Sequence, residues 1–210
     1  MGIYELLKSD FTKEKNKIEL FGCPNCNCNT LVIGVFHGDE PVGKDILENY
    51  LENGTNKNLI IVPCLNPDGM TLNTRQNANK VDLNRNFPTK NWTKTNIGED
   101  YYGGEAPESE TETKFIMQII EEYKPKQIVT IHTPYKIVNF DGDEKAKKLA
   151  EKIAKILSYE IDDDIGYPTP GSFGTYYGKE RNIPVITIEL DENETLSELC
   201  PKFDRILSEL

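Results

Sequence analysis

LVIGVF (31–36), HGDE (37–40) and PVGKDILENYLE (41–52) follow one another without interruption, and this stretch decides how the chain folds. The first six residues form a short unbroken apolar run, the pattern of a strand buried on both faces. Gly38-Asp39-Glu40-Pro41 punctuates its end. Helical spacing then begins, with Val42, Ile46, Leu47 and Tyr50 on one face. A buried strand that feeds a helix through a tight turn is half of a parallel β-α-β unit. The turn between them carries a histidine and a glutamate three residues apart.

The same alternation recurs along the chain. LIIVPCL (59–65) reads as a second buried strand, closed by the turn signal Asn66-Pro67-Asp68-Gly69. QIVTIH (127–132) and IPVITIEL (183–190) read as a third and a fourth. Helical periodicity is expected over Glu108 to Tyr123, Lys145 to Leu157, and the tail from Thr195 to Leu210. In that tail Thr195 and Glu198 have capping-box spacing, and Pro201 interrupts the pattern. The expectation is an α/β protein with helices on both faces of its sheet. With 210 residues, no internal repeat and no shift in composition, residues 1–210 are expected to form a single domain.

The chain has only two histidines, His37 and His132. Each stands at or just past the C-terminal end of an expected buried strand, where α/β sheets bind their ligands. Glu189 stands near the end of another such strand. His37 and Glu40 can reach one point from their turn, and His132 can join them from a distant strand. Two histidines and a carboxylate suit a catalytic zinc ion, which takes three protein ligands and keeps one position open. Such a site needs a separate carboxylate to move protons, and Glu189 is the candidate. Each strand-end histidine, taken alone, also reads as a structural residue, and Glu189 alone reads as a solvated acid.

Residues 70–104 are polar and form a long connection, which in a compact domain more often serves function than not. Within it, VDLNRNFP (81–88) sets Asn84 beside Arg85, and Arg75 lies ten residues earlier. Arginine suits bidentate capture of a carboxylate, and a second arginine can stabilise an oxyanion.

The composition excludes several functions. A net charge of -11 with no basic stripe argues against nucleic acid and against an anionic membrane surface as partners. No run approaches the length of a membrane span. The opening residues, MGIYELLKSDFTKEKNK, carry acids throughout and hold no apolar core of signal-peptide length, so a cytoplasmic location is expected. Five cysteines in such a chain agree with a reducing compartment. CPNCNC (23–28) has metal-ligand or redox spacing through Cys23, Cys26 and Cys28, with Cys64 available to complete a set in space. The alternative, a loop with surface or half-buried thiols, is the preferred reading.

In this order, HGDE, NPDG, TRQNANKVDLNRNFP, a strand ending in IH, YPTPGSFG and ITIEL resemble the zinc carboxypeptidase family, the carboxypeptidase A-like enzymes. The resemblance spans roughly residues 31–190 and implies a mixed, mostly parallel sheet of about eight strands between helices. It also implies one zinc ion per chain on His37, Glu40 and His132, with Glu189 as general base and acid. Arg75 matches the arginine that polarises the scissile carbonyl, and Asn84 and Arg85 the pair that binds a substrate carboxylate. Tyr167 falls where the family keeps a mobile tyrosine, with Tyr176 and Tyr177 as competitors for that role. Within the family, FHGDE, VDLNRNFP and GYPTPGSFGTYY look most like the murein peptide amidases. Those cytoplasmic enzymes cut between γ-D-glutamate and diaminopimelate in small peptides recycled from the cell wall. Competing expectations are a general or DL-carboxypeptidase, an acylase of the aspartoacylase or succinylglutamate desuccinylase type, and a binding protein that has kept the fold without catalysis. Phe173, Thr175 and Tyr135 are the candidates for the wall of the specificity pocket.

Overall fold

A computed structural model of the chain describes residues 3–162 and 169–210. Among these, one eight-stranded sheet runs in the order β1-β2-β4-β3-β5-β8-β6-β7. The strands are β1 (Glu5–Phe11), β2 (Lys17–Gly22), β3 (Thr30–Ile33), β4 (Leu59–Val62), β5 (Gln127–His132), β6 (Tyr135–Asp141), β7 (Glu160–Asp162) and β8 (Val185–Asp191). β4, β3, β5 and β8 are mutually parallel and lie at the centre. The β1-β2 hairpin flanks them antiparallel on one side, and β6 does so on the other, with β7 parallel to β6. The sheet is therefore mixed and mostly parallel at its core, as the motifs imply.

Burial explains why these strands form where they do. All side chains of β3 and β4 are fully buried, and β5 is buried from Ile128 onward. Each aliphatic residue so buried contributes about 1.5–3 kcal/mol. The two faces carry separate cores. On one, Val32, Ile61, Val129 and Ile188 pack under α1 (Val42–Asn53), α4 (Glu144–Leu157) and α5 (Leu196–Ser208). On the other, Leu31, Ile33, Ile60 and Ile128 meet α3 (Thr111–Tyr123) and the aromatic group Phe36, Phe87, Phe173, Tyr176 and Tyr177.

Several boundaries differ from the sequence expectation, each for a local reason. β3 ends at Ile33 rather than Phe36 because Val35 adopts φ 50°. A β-branched residue is strained in that left-handed region. Hydrogen bonds from Leu65 N to Gly34 O and from Asn66 N to Val35 O hold it there. The NPDG turn continues into a short helix, α2 (Pro67–Leu72), capped by the Asn66 side chain accepting from Gly69 N. α3 starts at Thr111, not Glu108, because Glu108 takes φ 57°. β1, β2, β6 and β7 join the four strands that the apolar runs mark and complete the eight-stranded sheet that the resemblance implies.

Asp68 and Glu112 show how the polar segments are fixed. The buried Asp68 carboxylate accepts from Thr12 Oγ1 at 2.5 Å, Asn16 Nδ2 at 2.8 Å and Glu14 N at 3.2 Å, which ties the β1-β2 hairpin to the NPDG turn. At the start of α3, Asn77 Nδ2 donates to Glu110 Oε2 at 2.8 Å and to Glu112 Oε1 at 3.2 Å. Burial, reinforced by neighbouring acids, pushes the Glu112 carboxyl up to about 7. A raised folded-state pKa gives stability that is complete below the unfolded value and is lost as the pH rises through about 7. Glu112→Gln keeps the acceptor without the charge. It should be more stable than the parent by about 3 kcal/mol at pH 8, with the difference vanishing near pH 4. Urea unfolding at the two pH values reads this directly, and parallel curves for both proteins would overturn it.

Candidate metal centre

His37, Glu40 and His132 converge at the carboxyl ends of β3 and β5, all three buried. His37 follows the Val35 turn, and Glu40 closes the same loop through Glu40 N to His37 O at 3.2 Å. Gly38 is required here because a methyl group on it would run into the backbone of Gly69 and Met70. The Asn66 side chain donates to Phe36 O at 3.1 Å, so the NPDG turn clamps the backbone immediately before His37. His132 is the last residue of β5, and its ring stacks on Phe36 with centroids 5.6 Å apart.

The donor atoms point inward. His37 Nδ1 lies 2.8 Å from Glu40 Oε1, His132 Nδ1 lies 3.0 Å from Glu40 Oε2, and the two Nδ1 atoms are 3.3 Å apart. Among the described residues this is the one group of three or more His, Cys, Asp or Glu side chains placed to hold a metal ion. Two imidazole nitrogens and a carboxylate converging from buried positions fit a divalent cation of the zinc type. Burial disfavours a proton on His37, yet the Glu40 and Asp82 carboxylates outweigh it and raise the ring to about 9. Burial likewise opposes charge on Glu40, and the two histidines together hold it well below the usual carboxylate range. Burial lowers His132.

Asp82 is the residue that sequence reasoning missed. It is fully buried, and its Oδ1 lies 3.3 Å from His37 Nε2, on the far side of the ring from the converging donors. A carboxylate in that position orients a ligating imidazole and raises its basicity. Its Oδ2 accepts from Arg75 Nε at 2.9 Å, and Arg75 Nη1 reaches to 3.9 Å from Glu40 Oε1. The signal was present in VDLNRNFP, but only the folded loop brings Asp82 against His37.

The loop places the other expected residues in the same cleft. Arg75, Asn84, Arg85, His132, Glu189 and Tyr135 all line it. Asp82 Oδ1 accepts from Asn84 N at 2.8 Å and so nucleates the 3-10 turn Leu83–Arg85. Asn84 Oδ1 accepts from Phe173 N at 2.9 Å, which leaves its amide nitrogen as the donor it can offer to the cleft. Arg85 is buried, donates to Asn84 O at 2.7 Å, and is braced through its own carbonyl by Trp92 Nε1 at 3.0 Å. Tyr101 covers both arginines, with guanidinium carbons 5.4 Å (Arg75) and 5.0 Å (Arg85) from its ring centre.

Glu189 pairs with His132 across β5 and β8. Its Oε2 is buried with no hydrogen-bond partner among the described residues. Burial, with the Glu40 charge adding to it, pushes this carboxyl up to about 8. A group with that affinity for protons can both accept and release one near neutral pH.

Other expectations resolve differently. Tyr167 lies outside the described residues. Tyr176 and Tyr177 are buried against Phe87 and Phe173 and do not line the metal cleft. Phe173 is likewise buried in that core and Thr175 does not line the cleft, so of the three wall candidates only Tyr135 does. Cys23 and Cys26 are joined in a disulfide, while Cys28, Cys64 and Cys200 are free thiols. Cys23, Cys26 and Cys28 occupy a half-buried loop, and Cys64 does not complete a metal set with them.

Comparison with known proteins gives the same picture. Residues 24–207 match the family described as zinc carboxypeptidase. Murein peptide amidase A of Vibrio campbellii is 35% identical over 177 residues, covering 78% of this chain and 70% of that protein. Its counterpart in Escherichia coli (strain K12) is 34% identical over 175 residues, covering 76% and 69%. The crystal structure of murein-tripeptide amidase MpaA from Escherichia coli O157 superposes with a TM-score of 0.82 at 28% identity, covering 98% of this chain and 90% of that one. Thrombin activatable fibrinolysis inhibitor, at 18% identity and a TM-score of 0.78 over 99% and 69% of the chains, shares the fold.

Proposed function

The chain belongs to the zinc carboxypeptidase family and is a hydrolase of the metallopeptidase class, and from that premise we propose that it cleaves the amide bond between γ-D-glutamate and diaminopimelate in murein peptides. One zinc ion per chain, held by His37, Glu40 and His132, is part of this reading, as is a single catalytic domain over residues 1–210. The proposed role is peptidoglycan recycling and the proposed location the cytoplasm. The observation that carries the reading is the 35% identity to murein peptide amidase A over 78% of the chain, and a cleft lined by His37, Glu40, Arg75, Asn84, Arg85, His132 and Glu189 supports it.

Bound zinc supplies Lewis acidity and lowers the pKa of water at its open position to about 7. The rest falls to this chain's own residues. Asn84 and Arg85 hold the carboxylate of the leaving residue, which sets the scissile bond beside Glu189. Arg75 faces the carbonyl and stabilises negative charge developing on its oxygen. Asp82 keeps Arg75 and His37 aimed. Glu189 takes a proton from the attacking water and passes it to the amide nitrogen. The C–N bond then breaks to give a free γ-carboxylate and a free amine.

The test is direct. Zinc-loaded protein incubated with L-Ala-γ-D-Glu-diaminopimelate should release diaminopimelate, detected by mass spectrometry, and an ordinary L-peptide should be cleaved far more slowly. Efficient cleavage of the L-peptide with no release of diaminopimelate would replace this reading with that of a general carboxypeptidase.

A further inference from the structure

Part of the cleft is lined by residues that the catalytic roles leave unused. Asn139 and Asp141 of β6, Thr187 of β8, and Gly174 and Lys179 of the π-helical segment Gly174–Lys179 line this part of it. Register shows how it relates to the reaction centre. Ile137 pairs with Glu189, Asn139 with Thr187, and Asp141 with Val185. Asn139 and Asp141 thus follow Ile137 on the same face of the sheet, about 7 Å and 14 Å along β6 from the level of Glu189. Arg85, Glu189, Asn139 and Asp141 line one cleft, so a side chain several carbons long bound there can reach from the reaction centre to these residues.

This part of the cleft is charged in a specific way. Lys179 Nζ and Asp141 Oδ1 form an ion pair at 3.0 Å, with Asp141 largely covered and Lys179 open to solvent. Asp141 is a fitted residue. A methyl group at Gly174 would run into Asp141 Oδ2, and one at Gly178 into the Asp141 Cβ and carbonyl. Two glycines four residues apart let the π-helical segment lie flush against this one residue. Thr187 Oγ1, which accepts from Thr130 Oγ1 at 3.2 Å, and the buried Asn139 complete a polar wall.

Resting on the murein-peptide reading, we propose that Asp141 and Lys179 form the specificity subsite and that it selects a side chain ending in a second amino-acid head group, ammonium and carboxylate together. Asp141 accepts from the ammonium and Lys179 donates to the carboxylate. The existing ion pair opens into two intermolecular pairs, so each charge keeps an opposite partner. Other side chains leave a charge unmatched. A plain ammonium faces Lys179, a plain carboxylate faces Asp141, and an apolar chain covers the ion pair without hydrogen bonds to either group.

Four peptides test this, all with the form L-Ala-γ-D-Glu-X, where X is diaminopimelate, L-lysine, L-2-aminopimelate or L-norleucine. The readout is kcat/KM for the parent, Asp141→Asn and Lys179→Met, with circular dichroism and zinc content confirming that the variants fold. The parent should prefer diaminopimelate over each of the other three by about tenfold or more. Asp141→Asn should bring the diaminopimelate-to-aminopimelate ratio towards one. Lys179→Met should do the same to the diaminopimelate-to-lysine ratio. If the parent cleaves the diaminopimelate peptide but takes the lysine or aminopimelate peptide equally well, or if both variants keep the parent's ratios, the subsite is wrong while the amidase reading stands. If the parent cleaves none of the four yet hydrolyses ordinary L-peptides, the amidase reading fails and the subsite fails with it.

Discussion

Glu189→Gln should lower kcat by about a thousandfold while the protein keeps one zinc ion per chain and its KM changes little. Glutamine fills the same volume at the end of β8 but cannot take a proton. The parent carboxyl is suited to the exchange because burial and the Glu40 charge push it up to about 8. Its Oε2 has no hydrogen-bond partner among the described residues, so that oxygen is open to take the proton. Glu189 is not among the three residues whose donor atoms converge, which is why metal content should stay constant. Single-turnover kinetics with metal analysis on the same sample separate the two effects. Turnover near the parent rate with zinc in place would show that another group moves the proton.

His132→Ala should lose the metal and the activity together. It removes one of three donors, and the two that remain, His37 and Glu40, come from a single turn. Zinc affinity should drop by more than about 100-fold, the upper end of what changes to supporting residues cost. The strand should survive, since the other residues of β5 are held by parallel pairing to β3 and β8. Dialysis against a zinc buffer followed by elemental analysis checks the prediction. A variant that retains stoichiometric zinc would mean that the metal is held elsewhere.

The contrast between these residues and the rest of the cleft shows what could be read in advance. β3, β4, β5 and β8 were legible because strands covered on both faces must be apolar throughout, and such runs need no partner to be recognised. β1 and β7 were not, since β1 is mostly exposed and β7 entirely so. β2 alternates buried and half-buried residues within a charged segment, and β6 turns Tyr135, Asn139 and Asp141 to the cleft. Their identity as strands comes from pairing with β4 and β8, which lie far away in sequence.

The site divides along the same line. His37, Glu40, His132 and Glu189 were readable because strand ends in an α/β sheet face the ligand and the chain has only two histidines to place. Arg75, Asn84 and Arg85 were readable from residue type and from the motif order. Asp82 behind His37, Tyr101 over the two arginines, and Asp141 against Lys179 were not. Each acts through a partner brought close only by the folded chain, and a charged side chain in isolation looks the same whether it is solvated or paired. The sequence by itself therefore determined the central sheet, the converging metal donors and the class of chemistry, because apolar runs and donor types are local properties. Only the tertiary structure decided which carboxylate stands against His37, that Tyr176 and Tyr177 face a core instead of the cleft, and that an ion pair between Asp141 and Lys179 lines that cleft. Those outcomes depend on strand register and on glycine-permitted close approach, which relate residues with no common neighbourhood in the chain.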